Sequence, residues 1–211
     1  ERVIRWAIRA EFWSCMLALL SIALAHPPSE DDTETVVVEQ EEDPTSAAET
    51  RLDANGVATT PGRSADSVLR GVRGLHMSAH GGKGKAFQYF LRGFDAVHGA
   101  DLAIDLEGVP LNETSNVHGH GYLDLGAIPR KLIVGARFTP GPVDASVGDF
   151  GVAGAGSLSL GLAETGLQAE VTGGTDRSGS VALGYRPRGA DQGTFVWADG
   201  ELGRGVGMAR D

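Results

Sequence analysis

A single cysteine, Cys15, in 211 residues leaves the chain no internal disulfide. Basic residues are also scarce: 18 Lys and Arg stand against 28 Asp and Glu, a formal net charge of -10. That balance argues against a nucleic-acid partner, because phosphate binding needs a basic surface. Aromatic side chains make up only 6% of the chain, and the one long apolar run, Trp13 through Leu24, is short for a bilayer span. Enzymatic signatures are missing too. Gly151-Val152-Ala153-Gly154-Ala155-Gly156 has the wrong spacing for a dinucleotide loop and runs into a strand pattern where a helix is required. Gly81 to Lys85 lacks the spacing and the Ser or Thr of a P-loop, and no catalytic triad or carboxylate pair is legible. No enzymatic activity and no cofactor are therefore expected.

What is abundant is glycine, 31 residues, which points to turns, bulges and sheet rather than long helices. The 41% hydrophobic content suffices for a core. Charge is unevenly placed: nine acidic residues and no Lys or Arg lie between His26 and Thr50.

Arg2, Arg5 and Arg9 precede the apolar run, which ends in Ala23-Leu24-Ala25. A positive start, a short apolar stretch and an A-x-A ending describe an export signal over residues 1–25 rather than a membrane anchor. The first residue is Glu1 rather than Met, so an incomplete or processed start is expected. Residues 26–62 carry Pro, Ser, Thr and acids with few large apolar side chains, and read as a flexible linker. Within it, Glu34-Thr35-Val36-Val37-Val38 forms a β-branched island suited to pairing, as an extended strand, with the sheet edge of another protein.

Beyond the linker, Ser64 to Leu75 reads as a short helix capped by Ser64 and closed near Gly74. Ala86 to Leu91, Leu102 to Glu107 and Lys131 to Val134 read as strands, with a turn at Gly108-Val109-Pro110. Short strands around short helices predict a small α+β domain with a mixed sheet over 63–161. From residue 162 onward the pattern becomes period two. Leu167, Ala169 and Val171 alternate with Gln168 and Glu170; Val181, Leu183 and Tyr185 alternate with Ala182 and Gly184; Phe195 and Trp197 alternate with Thr194 and Val196. This is the pattern of antiparallel strands in a membrane barrel, and a soluble antiparallel sheet shares it.

Several segments, in order, resemble the TonB-dependent outer-membrane receptors. Leu91-Arg92-Gly93-Phe94 is similar to the arginine-glycine strand motif of their plug domains. The run from Ile104 through Asp105, Leu106, Glu107, Gly108, Val109, Pro110 and Leu111 to Asn112 is similar to the strand and turn that follow. Ile128 to Val134 and Gly148 to Leu160 resemble the closing strands, Ser64 to Gly74 the opening helix and turn, and Glu34 to Val38 the TonB box. Phe138-Thr139-Pro140-Gly141-Pro142 departs from the family, which often carries a basic residue before Gly-Pro, and Ser146-Val147-Gly148 replaces its usual Leu-Tyr-Gly.

The resemblance implies an α+β plug over 63–161, followed over 162–211 by the first antiparallel strands of an incomplete transmembrane β-barrel. It implies a Gram-negative outer-membrane location and energy-dependent uptake of a scarce ligand: an iron chelate, cobalamin, a metal, a sugar or a peptide. The implied partners are TonB, the transported small molecule and outer-membrane lipid. The alternative is a plug-like periplasmic or surface binding module without transport. The resemblance further implies that Arg92 is at least partly buried and hydrogen-bonded to carboxylate or carbonyl groups, with Asp105 and Glu107 as candidate partners. His118-Gly119-His120 places two imidazoles close together and is the candidate ligand contact, and His76 and His80 share a face only if a helix continues there. No resident metal is expected, since three or four converging ligands are not evident.

Overall fold

The computed structural model describes residues 46–79, 85–174, 179–191 and 193–202, all within one compact unit. The export-signal and TonB-box readings, His80 and most of the Gly81–Lys85 loop lie outside the described residues.

Structure begins inside the stretch read as linker. Strand β1 (Thr50–Leu52) is followed by helix α1 (Ala54–Thr59). Six residues are too few to hold a helix alone, so its ends are tied down. Asp53 caps the start, its Oδ1 accepting from Gly56 N at 2.7 Å. At the other end the Arg130 guanidinium donates to the carbonyls of Val57 (2.8 Å) and Thr60 (2.5 Å). The linker expectation over 26–62 fails here because these anchors are a single cap and a residue about 70 positions away, neither of which raises local apolar content.

The expected helix from Ser64 to Leu75 is a 3-10 segment, Ala65–Gly71. All five residues from Ala65 to Leu69 are buried, including Asp66 and Ser67. The one-sided apolar stripe of an amphipathic helix is thus absent. Ser64 has the extended backbone of a cap but makes no side-chain capping bond.

Strands β2 (Leu75–Ser78), β3 (Gln88–Leu91) and β4 (Phe94–Ala96) form an antiparallel sheet of three. A five-stranded mixed sheet runs in the order β1-β7-β8-β5-β6, with β5 (Leu102–Leu106), β6 (Val109–Pro110), β7 (Ile133–Pro140) and β8 (Gly154–Leu160). Among the described strands, only β5 and β8 pair in parallel. Two predicted strand starts shift: 130–132 is a 3-10 turn ahead of β7, and β8 begins at Gly154 rather than near Gly148. Tyr89, Leu102, Ile104, Leu123, Leu125, Phe138 and Leu158 are fully buried between these elements. Each such side chain contributes roughly 1.5–3 kcal/mol.

Behind this α+β unit, β9 (Gly166–Gly173), β10 (Gly179–Arg186) and β11 (Val196–Leu202) form a separate antiparallel sheet. Its register aligns three apolar or small cross-strand rows on one face: Leu167–Tyr185–Val196, Ala169–Leu183–Ala198 and Val171–Val181–Gly200. The opposite face carries Gln168–Gly184–Trp197, Glu170–Ala182–Asp199 and Thr172–Ser180–Glu201. Burial along β9 is inverted relative to a soluble sheet. Leu167 is 69% and Val171 77% exposed, whereas Gln168, Glu170 and Thr172 are half-buried. Trp197 was expected on the apolar face. It lies in a polar row, donating from Nε1 to Asp199 Oδ1 at 2.8 Å, while Val196 and Ala198 take the apolar side.

The polar face meets the first unit. Lys131 Nζ lies 2.8 Å from Glu170 Oε2, and the Arg186 guanidinium donates to the carbonyls of Leu162 and Ala163. Lys131 is exposed and Glu170 half-buried, so the pair contributes no more than about 1 kcal/mol. The Arg186 bonds hold the segment between β8 and β9 against the sheet, so the connection to the first unit rests mainly on the chain itself.

Candidate functional site

Two hairpins carry the motif residues. Leu91 pairs with Phe94 across Arg92-Gly93, and Leu106 pairs with Val109 across Glu107-Gly108. In both, the two central residues have positive φ: 51° and 86° for Arg92 and Gly93, 51° and 79° for Glu107 and Gly108. A two-residue loop of this kind matches the twist of the flanking strands, and glycine at the second position accepts the left-handed backbone without cost. The second turn therefore lies at Glu107-Gly108, and Val109 and Pro110 belong to the returning strand.

The carboxylates of this motif serve the fold. Asp105 Oδ1 accepts from Gly108 N and Ser157 Oγ, each at 2.8 Å, and Glu107 Oε1 accepts from Leu160 N at 2.5 Å. Neither approaches Arg92. The expectation of a partly buried, carboxylate-bonded Arg92 is overturned: the residue is exposed at the hairpin tip, and its guanidinium has no bonded partner among the described residues. Its backbone N–H donates to Gly74 O at 2.9 Å, and its stem lies over Gly74. The turn geometry explains this, because residues at a hairpin tip project away from the sheet that buries Leu91. Arg92, Phe94, Pro140, Gly141 and Val152 line an open depression of about 270 Å³.

The loop after β6 is organised by Asn112. Its Oδ1 accepts from Ile104 N at 2.9 Å, and its Nδ2 lies 3.1, 2.9 and 3.0 Å from the carbonyl oxygens of Gly99, Leu102 and Gly121. One amide thus ties strand β5 to both ends of the loop, which Glu113 and Tyr122 close by a β-bridge. Sequence reading placed Asn112 at the end of a motif without a role. Asn112→Ala is expected to destabilise the fold by roughly 2–3 kcal/mol in denaturant unfolding, since one accepted bond and the donations of both amide hydrogens vanish and water replaces only part of them. Asn112→Asp should do no better at neutral pH, because a carboxylate would face three carbonyls. Full stability in either variant would show the amide to be dispensable.

On this loop His118 packs not against His120 but against His98, ring centroids 4.6 Å apart at 68°, with Tyr122 at 5.6 Å from His118 and 5.8 Å from His98. His98 is buried, and its Nδ1 lies 3.2 Å from Ala86 O; Ala86 N in turn donates to the Tyr122 hydroxyl at 2.7 Å. His120 turns back on its own loop, its Nδ1 3.0 Å from Thr114 O. His76 stands on strand β2 beside Phe90, not on a helix. His98 escaped sequence reading because it lies 20 residues from His118 and inside a turn with positive φ. No group of three His, Cys, Asp or Glu side chains that could hold a metal occurs among the described residues.

Beneath the loop, the Tyr89 hydroxyl donates to Asp66 Oδ1 at 2.7 Å, both residues buried. Burial pushes the Asp66 carboxyl above the ordinary range despite this bond, and burial likewise pushes the Tyr89 phenol up. A folded-state pKa above the unfolded one means that the native state holds its proton more tightly. Stability from this group is then full below the unfolded value and declines as pH rises through the folded one. Asp66→Asn should keep the Tyr89 bond and remove that decline, read as a flatter stability profile as pH rises above the ordinary carboxylate range. An unchanged profile would locate the titration elsewhere.

Residues 41–155 match the family model described as TonB-dependent Receptor Plug Domain. No curated protein sequence matches the chain. Among solved structures, the FpvAI–pyocin S2 complex is similar at 15% identity and a TM-score of 0.51, over 72% of this chain and 19% of that one. A mutant of the ferric enterobactin receptor of Pseudomonas aeruginosa is similar at 16% identity and 0.48, over 65% and 22%. The siderophore receptor PirA of Acinetobacter baumannii is similar at 18% identity and 0.44, over 66% and 22%. The chain thus spans about a fifth of the length of these solved chains.

Proposed function

Because the chain belongs to the family of TonB-dependent receptor plug domains, we propose that it gates an outer-membrane barrel through which a scarce small ligand is taken up at the expense of the proton gradient. The observation that carries this reading beyond family membership is the inverted sheet β9–β11. Its apolar rows face outward and its polar rows face the α+β unit, the arrangement needed by strands with lipid outside and a filled lumen inside. A three-stranded sheet with open edges cannot sit in hydrocarbon alone, since unpaired N–H and C=O groups are costly there. The proposal therefore concerns this segment joined to a closed barrel.

Within it, residues 1–25 direct export, 34–38 engage TonB, the plug fills the lumen, and the loop bearing His118 and His120 contacts the ligand. The motif run from Leu91 through Pro110 supplies the two hairpins that frame the plug.

The test is uptake by such a receptor in a Gram-negative strain stripped of its own siderophore receptors. Ferric siderophores are the first ligands to try, being the class named for two of the solved chains. Accumulation of a radiolabelled ligand that stops when TonB is deleted, while surface binding persists, is the expected result. Accumulation indifferent to TonB would refute the reading.

A further inference from the structure

Phe150 holds a backbone that its side chain disfavours. Its φ is 65°, in the left-handed region where a bulky residue is an outlier. Arg92 and Glu107 enter that region because two-residue hairpins demand it. Phe150 lies instead in the connection between β7 and β8, where no strand pairing imposes it. Strain of this kind persists only where the surroundings hold it. What holds it here is the end of the loop bearing His118. The half-buried Phe150 ring lies on Gly121, so close that a Cβ there would stand 2.5 Å from Phe150 Cδ1 and 2.7 Å from Cε1. Gly121 is itself fixed: its N–H donates to Glu113 O at 2.7 Å and its carbonyl accepts from Asn112 Nδ2 at 3.0 Å. The ring is thus seated where that loop closes. Two residues on, Val152 forms part of the depression beside Arg92.

We propose that Phe150 is a strained prop that couples the loop bearing His118 to the segment ahead of β8. While Gly121 is in place, the ring sits on it and the backbone is held at positive φ. When Gly121 shifts, the ring loses its seat, φ relaxes to negative values, and residues 148–152 rearrange at the wall of the Arg92 depression. The strain of a left-handed phenylalanine and the gain from half-burying its ring are of similar size, so neither arrangement greatly outweighs the other. A packed contact of this sort changes between two discrete arrangements rather than by degrees. Its functional use rests on the reading of the His118 loop as a ligand contact: the prop passes a displacement of that loop to a second surface of the plug. A ligand drives it only as far as it binds the displaced loop better than the resting one.

The prop itself is tested on the whole chain without a ligand, so its failure is separable from failure of the transport reading. Nuclear magnetic resonance of the parent should show at Phe150 the strong intraresidue amide–Hα contact that marks positive φ. Gly121→Ala puts a methyl group where the ring sits and should weaken that contact. Tyr122→Phe is the milder variant, removing only the hydroxyl that accepts from Ala86 N beside Gly121. Chymotrypsin then reports the released ring, because cleavage follows the population of the open form. Cleavage after Phe150 should rise at least about tenfold in Gly121→Ala and about threefold in Tyr122→Phe. Cleavage after Phe138, fully buried in β7, should stay within about twofold of the parent in both. If Gly121→Ala does not fold, Tyr122→Phe decides alone. A negative φ at Phe150 in the parent, unchanged cleavage after Phe150 in the folded variants, or an equal rise after Phe138 would overturn the proposal.

Discussion

Val37→Pro is expected to abolish TonB-dependent uptake by a receptor carrying this segment while leaving ligand binding at the outer face unchanged. The residues concerned, Glu34 to Val38, lie outside the described part of the structure, so the expectation rests on backbone chemistry. Three successive valines favour an extended chain, and flanking acids keep it soluble. An extended segment in a polar linker leaves its N–H and C=O groups available to a partner's sheet edge. Strand alternation would send neighbouring side chains of such a segment to opposite sides, so pairing is expected to draw on the backbone more than on any one side chain. Proline removes one donor and fixes φ, breaking the ladder. Val37→Ile keeps both and should be mild. Normal uptake by the proline variant under an intact proton gradient would reduce the segment to plain linker.

The second large effect concerns the outward face of β9. Ala169 sits in the central cross-strand row with Leu183 and Ala198. As the middle of the three outward rows, it is the one expected nearest the middle of the bilayer in a closed barrel. Ala169→Arg should cost about 2–4 kcal/mol of folding into lipid vesicles, the penalty for a lipid-facing arginine near the midplane. Gln168→Arg, one residue away and on the polar face beside Gly184 and Trp197, should cost within about 1 kcal/mol. The measurement is urea-dependent folding into vesicles, supported by receptor levels in the outer membrane. Equal tolerance of the two substitutions would mean that the outward face does not meet lipid, and the sheet would then be a soluble one.

The contrast between neighbours 168 and 169 also marks where sequence reading succeeds. Alternation in β9 and β10 is local, and each strand maps its period of two directly onto two faces. The two faces of each of these strands therefore follow from the residues alone. The turn after β5 was legible through Gly108, though placed one position late, whereas Arg92-Gly93 read as part of a strand motif; the positive φ shared by Arg92 and Glu107 shows only in the folded chain. At β11 the same reading failed, because Phe195 and Trp197 look like an apolar face until the register against β10 places Trp197 opposite Gly184.

Composition and period by themselves determined the fold class of the described part: a small α+β unit followed by alternating strands. Those properties depend on neighbours a few positions apart. Tertiary structure alone decided that Thr50 to Thr59 is folded, that Arg92 stands exposed while Asp105 and Glu107 brace the hairpin, and that β5 runs parallel to β8. It alone decided that His118 meets His98 rather than His120, and that Asn112 gathers Gly99, Leu102, Ile104 and Gly121. Each of these is a contact between segments brought together by burying the same core. Its partner is chosen by the register and direction of whole strands, which the local order of residues does not encode.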